Sequence, residues 1–199
     1  SDIKLLLQSH EHFDHVAALA RLQQLSGAKL LASAAAAPVL ASGVVSSADP
    51  QAGMHKPFPP ARVDGQVTAG TAVNLGDLSL MPIATPGHTP GALSWQWRSC
   101  EAGQCQVLVY ADSLSPVSSD SYRFSEHLSY LNAYRAGLNT LAKLDCQVLL
   151  TPHPSASNMR TRLQSSDGLS DPQGCVSYAD AVTGRLEQRL TKEKTSADK

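Results

Sequence analysis

Three predicted strands of this 199-residue chain each lead into a histidine. The apolar run at residues 3–7 is followed by SHEHFDH, the strand at 79–83 leads into TPGH, and the strand at 147–150 into TPHP. In α/β folds the loops at strand ends converge on one edge of the sheet, which is where such folds place their sites. We therefore expect five of the seven histidines to meet there, and these are His10, His12, His15, His88 and His153.

The opening segment alternates strand and helix. Val16, Leu19, Leu22 and Leu25 are spaced three residues apart and predict one helical face, with Gly27 at the C-terminal stop. AKLLAS then reads as a strand and AAAAPVLASG as a short alanine-rich helix. This β–α–β–α order favours parallel strands covered by helices.

The later segments add a long loop, more strands and two helices. Residues 44–66 are rich in Pro, Ser and Gly, and a loop of this length in a compact domain is often functional. Leu93, Trp95 and Trp97 alternate with polar residues, as in a half-buried strand. Helices are predicted at 126–143 and 177–194, and QVLVYADS reads as one more strand.

Composition excludes several classes of protein. The chain is 42% hydrophobic and 17% charged, which suits one globular domain over residues 1–199. A net charge of -1 argues against nucleic-acid binding, and no apolar run reaches the roughly 18 residues of a membrane span. Because SDIKLLLQ enters a strand almost at once, we expect the N-terminal strands of the fold to be absent from this chain.

The acids and histidines fit zinc. His10 and His12 lie on one side of an extended segment, Asp14 continues that parity, and His15 opens the following helix. Imidazole nitrogens and carboxylate oxygens are zinc ligands, and a catalytic zinc keeps one position open for water. Six candidates are too many for one such site and suit two zincs with three protein ligands each. They are His10, His12, Asp14, His15, His88 and His153.

The order HxHxDH, then GH, then PH resembles the signature of the metallo-β-lactamase superfamily, over nearly the whole chain. It is most similar to the di-zinc β-lactamase subclass with a His-His-His first site and an Asp-His-His second site. The resemblance implies an αββα sandwich, here without its N-terminal part. It also implies that His10, His12 and His88 bind the first Zn²⁺, and that Asp14, His15 and His153 bind the second.

The function implied is zinc-dependent hydrolysis of the β-lactam amide of penicillins, cephalosporins and carbapenems, giving antibiotic resistance. A metal-bound hydroxide would attack without a covalent intermediate, and Asp14 would orient it. Two alternatives remain open. A zinc hydrolase of thioesters or lactones belongs to the same superfamily, and an inactive fragment or binding module would follow if the missing strands were essential.

YADSLS at 110–115 bears on that choice. In the resembling subclass, serines here bind the substrate carboxylate directly or through water, which implies this role for Ser113 and Ser115. Gln51 matches a substrate-lining loop. Asp112 favours the thioesterase or lactonase alternative if it points at the metals, and is otherwise a hydrogen-bond partner behind them. Glu11, at a variable position of the motif, is expected to face outward.

Four cysteines indicate an oxidising compartment, periplasmic or extracellular. Cys100 and Cys105 flank a short turn that would bring their sulfurs within bridging range, and Cys146 could pair with Cys175. The resemblance implies the same two bridges, and we expect the chain to be a monomer. His55 and His127 lie away from the strand-end motifs and are expected to be ordinary surface or loop histidines.

Overall fold

The computed structural model describes residues 2–197, and in that range it contains two β-sheets with helices on their outer faces. The strands are β1 (Leu5–Leu7), β2 (Lys29–Ser33), β3 (Val63–Val67), β4 (Val73–Leu75), β5 (Leu78–Ala84), β6 (Leu93–Glu101), β7 (Gln104–Tyr110) and β8 (Val148–Leu150). The α-helices are α1 (Phe13–Val16), α2 (Leu19–Ser26), α3 (Ala36–Ser42), α4 (Leu128–Ala142), α5 (Met159–Leu163) and α6 (Gly174–Ala197). Two 3-10 helices lie at Phe124–Glu126 and Pro154–Ser157.

The two sheets have different topologies. The smaller sheet has the order β1-β2-β3 and is parallel throughout, as the β–α–β–α opening predicts. The larger sheet has the order β4-β5-β6-β7-β8, antiparallel up to β7, with β8 parallel to β7. A parallel partner requires a long connection, and α4 lies within the segment that joins β7 to β8.

Three apolar layers hold the sandwich together. Leu30 and Leu40 are fully buried between the smaller sheet and its helices, and Trp95 is buried between the two sheets. Leu149 and Leu186 are buried between the larger sheet and α4 and α6. Each such side chain contributes roughly 1.5–3 kcal/mol of transfer free energy. Helix, sheet, sheet and helix thus follow one another, and the predicted αββα architecture is confirmed.

The predicted first helix is interrupted. Helix α1 ends at Val16 and α2 begins at Leu19, and both of these residues are buried. Leu22 and Leu25 are exposed, by 38% and 65%. In a helix, each step of three residues falls about 60° short of a full turn. Side chains spaced three residues apart therefore move gradually around the helix, from the core side to the solvent side. Gly27 does end α2, with a φ of 71°.

The long loop is shorter than predicted, because β3 occupies residues 63–67 and pairs with β2. The strand is hard to recognise because it contains Asp64 and Gly65. The Asp64 carboxylate accepts a hydrogen bond from the Leu30 backbone N–H at 3.0 Å and one from Gln23 Nε2 at 2.9 Å. A charged residue therefore tethers the strand at the position where sequence patterns predict a turn.

Helix α6 anchors the segment that follows β7. The Glu193 carboxylate accepts hydrogen bonds from the backbone N–H groups of Phe124 and Ser125, at 3.1 and 2.9 Å. Arg189 donates to the Tyr122 carbonyl at 2.8 Å and to Glu193 at 2.8 Å. The end of α6 thereby fixes the chain that carries the two predicted substrate-binding serines. None of the described helices is long and apolar enough to cross a bilayer.

Both predicted disulfides are present. Cys100 and Cys105 are directly opposite each other in the β6–β7 hairpin and form one bridge. Cys146 and Cys175 form the other, which joins the start of β8 to α6 across 29 residues.

We expect the two bridges to contribute unequally to stability. Loop-closure entropy gives about 3.6 kcal/mol for the 29-residue separation and about 2.1 kcal/mol for the 5-residue one. Urea unfolding of C146A/C175A and C100A/C105A should therefore show the larger loss in the first variant. An equal or reversed order would mean that native-state strain, and not loop length, sets these contributions.

Candidate metal centre

The first group of predicted ligands lies at the ends of β1 and β5. His10, His12 and His88 are buried, and each offers a ring nitrogen within 4.8 Å of the other two. Nδ1 of His12 lies 3.2 Å from Nε2 of His88. Nε2 of His10 is buried without a hydrogen-bond partner among the described residues. The three side chains thus converge as the sequence predicts.

Each of these rings is fixed through its other nitrogen. His10 Nδ1 donates to Asp112 Oδ1 at 2.7 Å, and His12 Nε2 donates to Asp49 Oδ2 at 3.1 Å. His88 Nδ1 donates to the backbone carbonyl of Ser115 at 2.9 Å. In its neutral form an imidazole has one N–H, so in that form the nitrogens that face one another would all carry lone pairs. Three converging lone pairs repel one another unless a cation lies among them, and this donor set fits a metal ion.

The second group is nearer the surface. Nε2 of His15 lies 3.2 Å from Nε2 of His153, and Asp14 Oδ2 lies 3.1 Å from His15 and 3.6 Å from His153. The ring centroids of His10 and His15 are 4.0 Å apart, so the two groups of candidate ligands are in direct contact. Asp14 is 54% exposed, so solvent and small molecules reach this side of the site.

The backbone conformation at Asp14 is helical and not extended as predicted. His12 is extended and caps α1, whereas Asp14 and His15 lie on that helix. The expected alternation of an extended strand therefore ends at His12, and the prediction for Asp14 was wrong in this respect. Because the chain turns from extended to helical at this point, the consecutive side chains of Asp14 and His15 both lie near His153. In an extended chain they would point to opposite sides.

Burial keeps two of the histidines neutral. Burial and the nearby His10 lower the pKa of both His15 and His88 to about 4, so both rings are uncharged at pH 7. At His10 burial also acts to lower the pKa, but the Asp112 carboxylate outweighs it and the net shift is upward. Neutral imidazole is the form that binds metal ions.

Glu11 corrects the prediction of an outward-facing side chain. It is 1% exposed, and its carboxylate accepts hydrogen bonds from Thr89 Oγ1 at 2.7 Å and from the Gly91 backbone N–H at 2.9 Å. Glu11 lies between His10 and His12, and protein covers both faces of this segment. The Glu11 side chain is therefore buried even though it points away from its two neighbours. Burial raises the pKa of this carboxyl.

His55 is not an ordinary loop histidine, and this prediction was wrong as well. Its ring centroid is 4.5 Å from that of His12, and Nε2 donates to Gln51 Oε1 at 3.0 Å. The long loop folds back over the site and brings His55 with it, which strand-end patterns do not reveal. His127 is exposed and stacks on Tyr122 at 4.4 Å.

The predicted substrate contacts differ in where they lie. Ser115 Oγ is 3.1 Å from His88 Nδ1, and Gln51 Nε2 is 3.4 Å from the same atom. The Ser113 hydroxyl is buried without a hydrogen-bond partner among residues 2–197, and the Ser113 carbonyl accepts a hydrogen bond from Tyr178. Asp112 binds Nδ1 of His10. This contact matches the interpretation of Asp112 as a hydrogen-bond partner behind the ligands.

Asp49 is the residue that sequence reasoning missed. It is 1% exposed, and besides His12 it accepts a hydrogen bond from the Gln51 backbone N–H at 2.7 Å. In the sequence Asp49 is followed by Pro50, and this pair is typical of a turn, so the acid does not indicate a role in a site. Only the folded loop shows that this carboxylate orients His12, a candidate metal ligand.

Comparison with known proteins agrees with this geometry. The family model described as the metallo-beta-lactamase superfamily matches residues 1–153. The structure of the MIM-2 metallo-beta-lactamase is 58% identical with a TM-score of 0.92, over 96% of this chain and 70% of that chain. MIM-1 from Novosphingobium pentaromativorans is 43% identical with a TM-score of 0.94, over 98% and 72%. MEM-A1, a subclass B3 metallo-beta-lactamase from a soil metagenome library, is 39% identical with a TM-score of 0.91, over 100% and 77%. The chain belongs to the metallo-beta-lactamase superfamily.

Proposed function

We propose that this protein is a zinc β-lactamase that hydrolyses the amide bond of penicillins, cephalosporins and carbapenems. The observation that carries the proposal is the convergence of three ring nitrogens, from His10, His12 and His88, beside the group of Asp14, His15 and His153. The support from relatives is that proteins up to 58% identical are named metallo-beta-lactamases.

The donor set suits two zinc ions. His10, His12 and His88 would hold one, and Asp14, His15 and His153 the other. When bound, zinc lowers the pKa of its water ligand to about 7 and polarises a carbonyl oxygen. Nitrogen and carboxylate donors in sets of three leave one position of a tetrahedron open, as catalytic zinc sites do.

The protein's own groups would orient the reactants. The partly exposed Asp14 carboxylate can accept a hydrogen bond from the attacking water and so direct its lone pair at the lactam carbonyl. Ser115, Gln51 and Ser113 would donate hydrogen bonds to the substrate carboxylate, and the support for the first two is that both lie next to His88. None of the three serves as a nucleophile in this proposal, and no covalent intermediate forms.

The two disulfides support a periplasmic or secreted location, and we propose that the chain acts there as a monomer in antibiotic resistance. A thioester or lactone hydrolase would share the fold and the ligands. The test therefore compares substrate classes directly.

We expect purified protein to hydrolyse nitrocefin and a carbapenem, and to leave a simple thioester and a lactone largely intact. A chelator should abolish the activity, and added Zn²⁺ should restore it, because the proposed water activation depends on the metal. β-Lactam hydrolysis that survives complete removal of metal would refute the proposal. Preferential turnover of the thioester or the lactone would reassign the function within the superfamily.

A further inference from the structure

Glu11 occupies an unusual place for an acid. It stands between His10 and His12 in sequence, and both of its oxygens are used, by Thr89 Oγ1 and by the Gly91 backbone N–H. These two donors follow His88 by one and three residues. One buried carboxylate therefore ties the His10–His12 segment of the chain to the loop that carries the third histidine.

The packing around this carboxylate leaves little freedom. A Cβ added at Gly91 would lie 2.8 Å from Glu11 Oε1 and 2.7 Å from the Ala36 Cβ, so the loop approaches as closely as a glycine allows. Both oxygens of the side chain accept a hydrogen bond, and burial strengthens such bonds because the surroundings have a low dielectric constant. The contact is suited to fixing the distance between the two segments.

We propose that Glu11 is a positioning residue for the first metal site, which holds the His88 loop against the His10–His12 segment so that the three ligand nitrogens converge before the metal binds. This role rests on the proposed zinc site and does not require that the substrate is a β-lactam. Without this contact the Gly91 carbonyl keeps its hydrogen bonds from Gln8 and Ser33, but Thr89, next to His88, loses its bond to the His10–His12 segment. Part of the loop must then be ordered when the metal binds, and the affinity falls accordingly.

The test measures zinc affinity of the full chain, by competition of the metal-free protein with a chromogenic chelator. Glu11→Ala removes both hydrogen bonds, Thr89→Val removes one with little change in shape, and Glu11→Gln keeps the shape and an acceptor for Gly91. We expect E11A to weaken one of the two zinc-binding steps by roughly 10- to 100-fold, with E11Q restoring part of that loss. Glu101→Gln, at the exposed far end of the β6–β7 hairpin, is the matched control and should bind zinc as the parent does.

Two further readouts separate positioning from general support of the fold. Thr89→Val should cost less than E11A, and E11A/T89V should be no weaker than E11A, because the two residues act through one contact. Cobalt substitution should show an altered ligand-field spectrum for E11A at one site only. If E11A is unfolded, T89V still tests the same contact in a folded chain. Unchanged zinc affinity in a folded E11A variant, unchanged zinc affinity in T89V, or equal weakening of both zinc steps, would overturn the proposal.

Discussion

Replacement of His88 by alanine is expected to lower the zinc content from two ions per chain to one and to reduce kcat/KM for nitrocefin by at least about 100-fold. Loss of an outer hydrogen-bond partner of a metal ligand already costs roughly 10- to 100-fold, and His88 itself would supply a ligand nitrogen. Its Nε2 faces Nδ1 of His12 at 3.2 Å. Zinc content by elemental analysis and steady-state turnover check the two effects together.

His127→Ala is the matched control for this variant. His127 is exposed and contacts Tyr122, so its loss should change neither zinc content nor turnover. Full activity with two zincs in the His88 variant would show that the ligand assignment is wrong. A loss of activity with both zincs retained would instead give His88 a role other than metal binding.

Replacement of Gly87 by alanine is expected to destabilise the protein by about 3 kcal/mol, the upper end of the usual cost of overpacking a core. Gly87 has a φ of 153°, and an added Cβ would lie 2.3 Å from Cδ2 of the buried Tyr134 ring. The Tyr134 hydroxyl donates to the carbonyl of Leu114, so this ring lies between the loop of His88 and the loop of the serines. It cannot move aside without releasing one of them, and urea unfolding measures the cost.

Gly184→Ala controls for the substitution itself. Gly184 lies in α6, and an added Cβ there would have no neighbour within 4 Å. Alanine favours helix over glycine by about 1 kcal/mol, so this variant should be slightly more stable than the parent. If G87A were no less stable than the parent, the close packing between Gly87 and Tyr134 would not exist in solution.

The sequence allows the architecture to be predicted because the signals are local and periodic. The β–α–β–α opening predicts the parallel sheet, and Leu93, Trp95 and Trp97 predict a strand at β6, although Ser94 between them is buried as well. The candidate ligands could be found for a similar reason, since residues that follow strand ends lie at the same edge of the sheet in such folds. Their role as zinc ligands stays a prediction that the geometry supports.

What the sequence does not reveal depends on contacts between distant segments. Asp49 reaches His12, and His55 reaches Gln51 and His12, only because the long loop folds over the site. Glu11 was predicted to face outward because it fills a variable position of the motif, whereas the folded chain buries it completely. Residues that orient the candidate ligands carry no motif of their own. Asp49 is 37 positions away from His12, and Asp112 is 102 positions away from His10.

The most direct measurement is anomalous X-ray scattering at the zinc absorption edge, from crystals of the protein grown with Zn²⁺. Two peaks are predicted, one among His10, His12 and His88, and one among Asp14, His15 and His153. The opposite result is a single peak, or none, at these side chains despite saturating Zn²⁺. That result would contradict the claim that the ends of the strands form a two-zinc site.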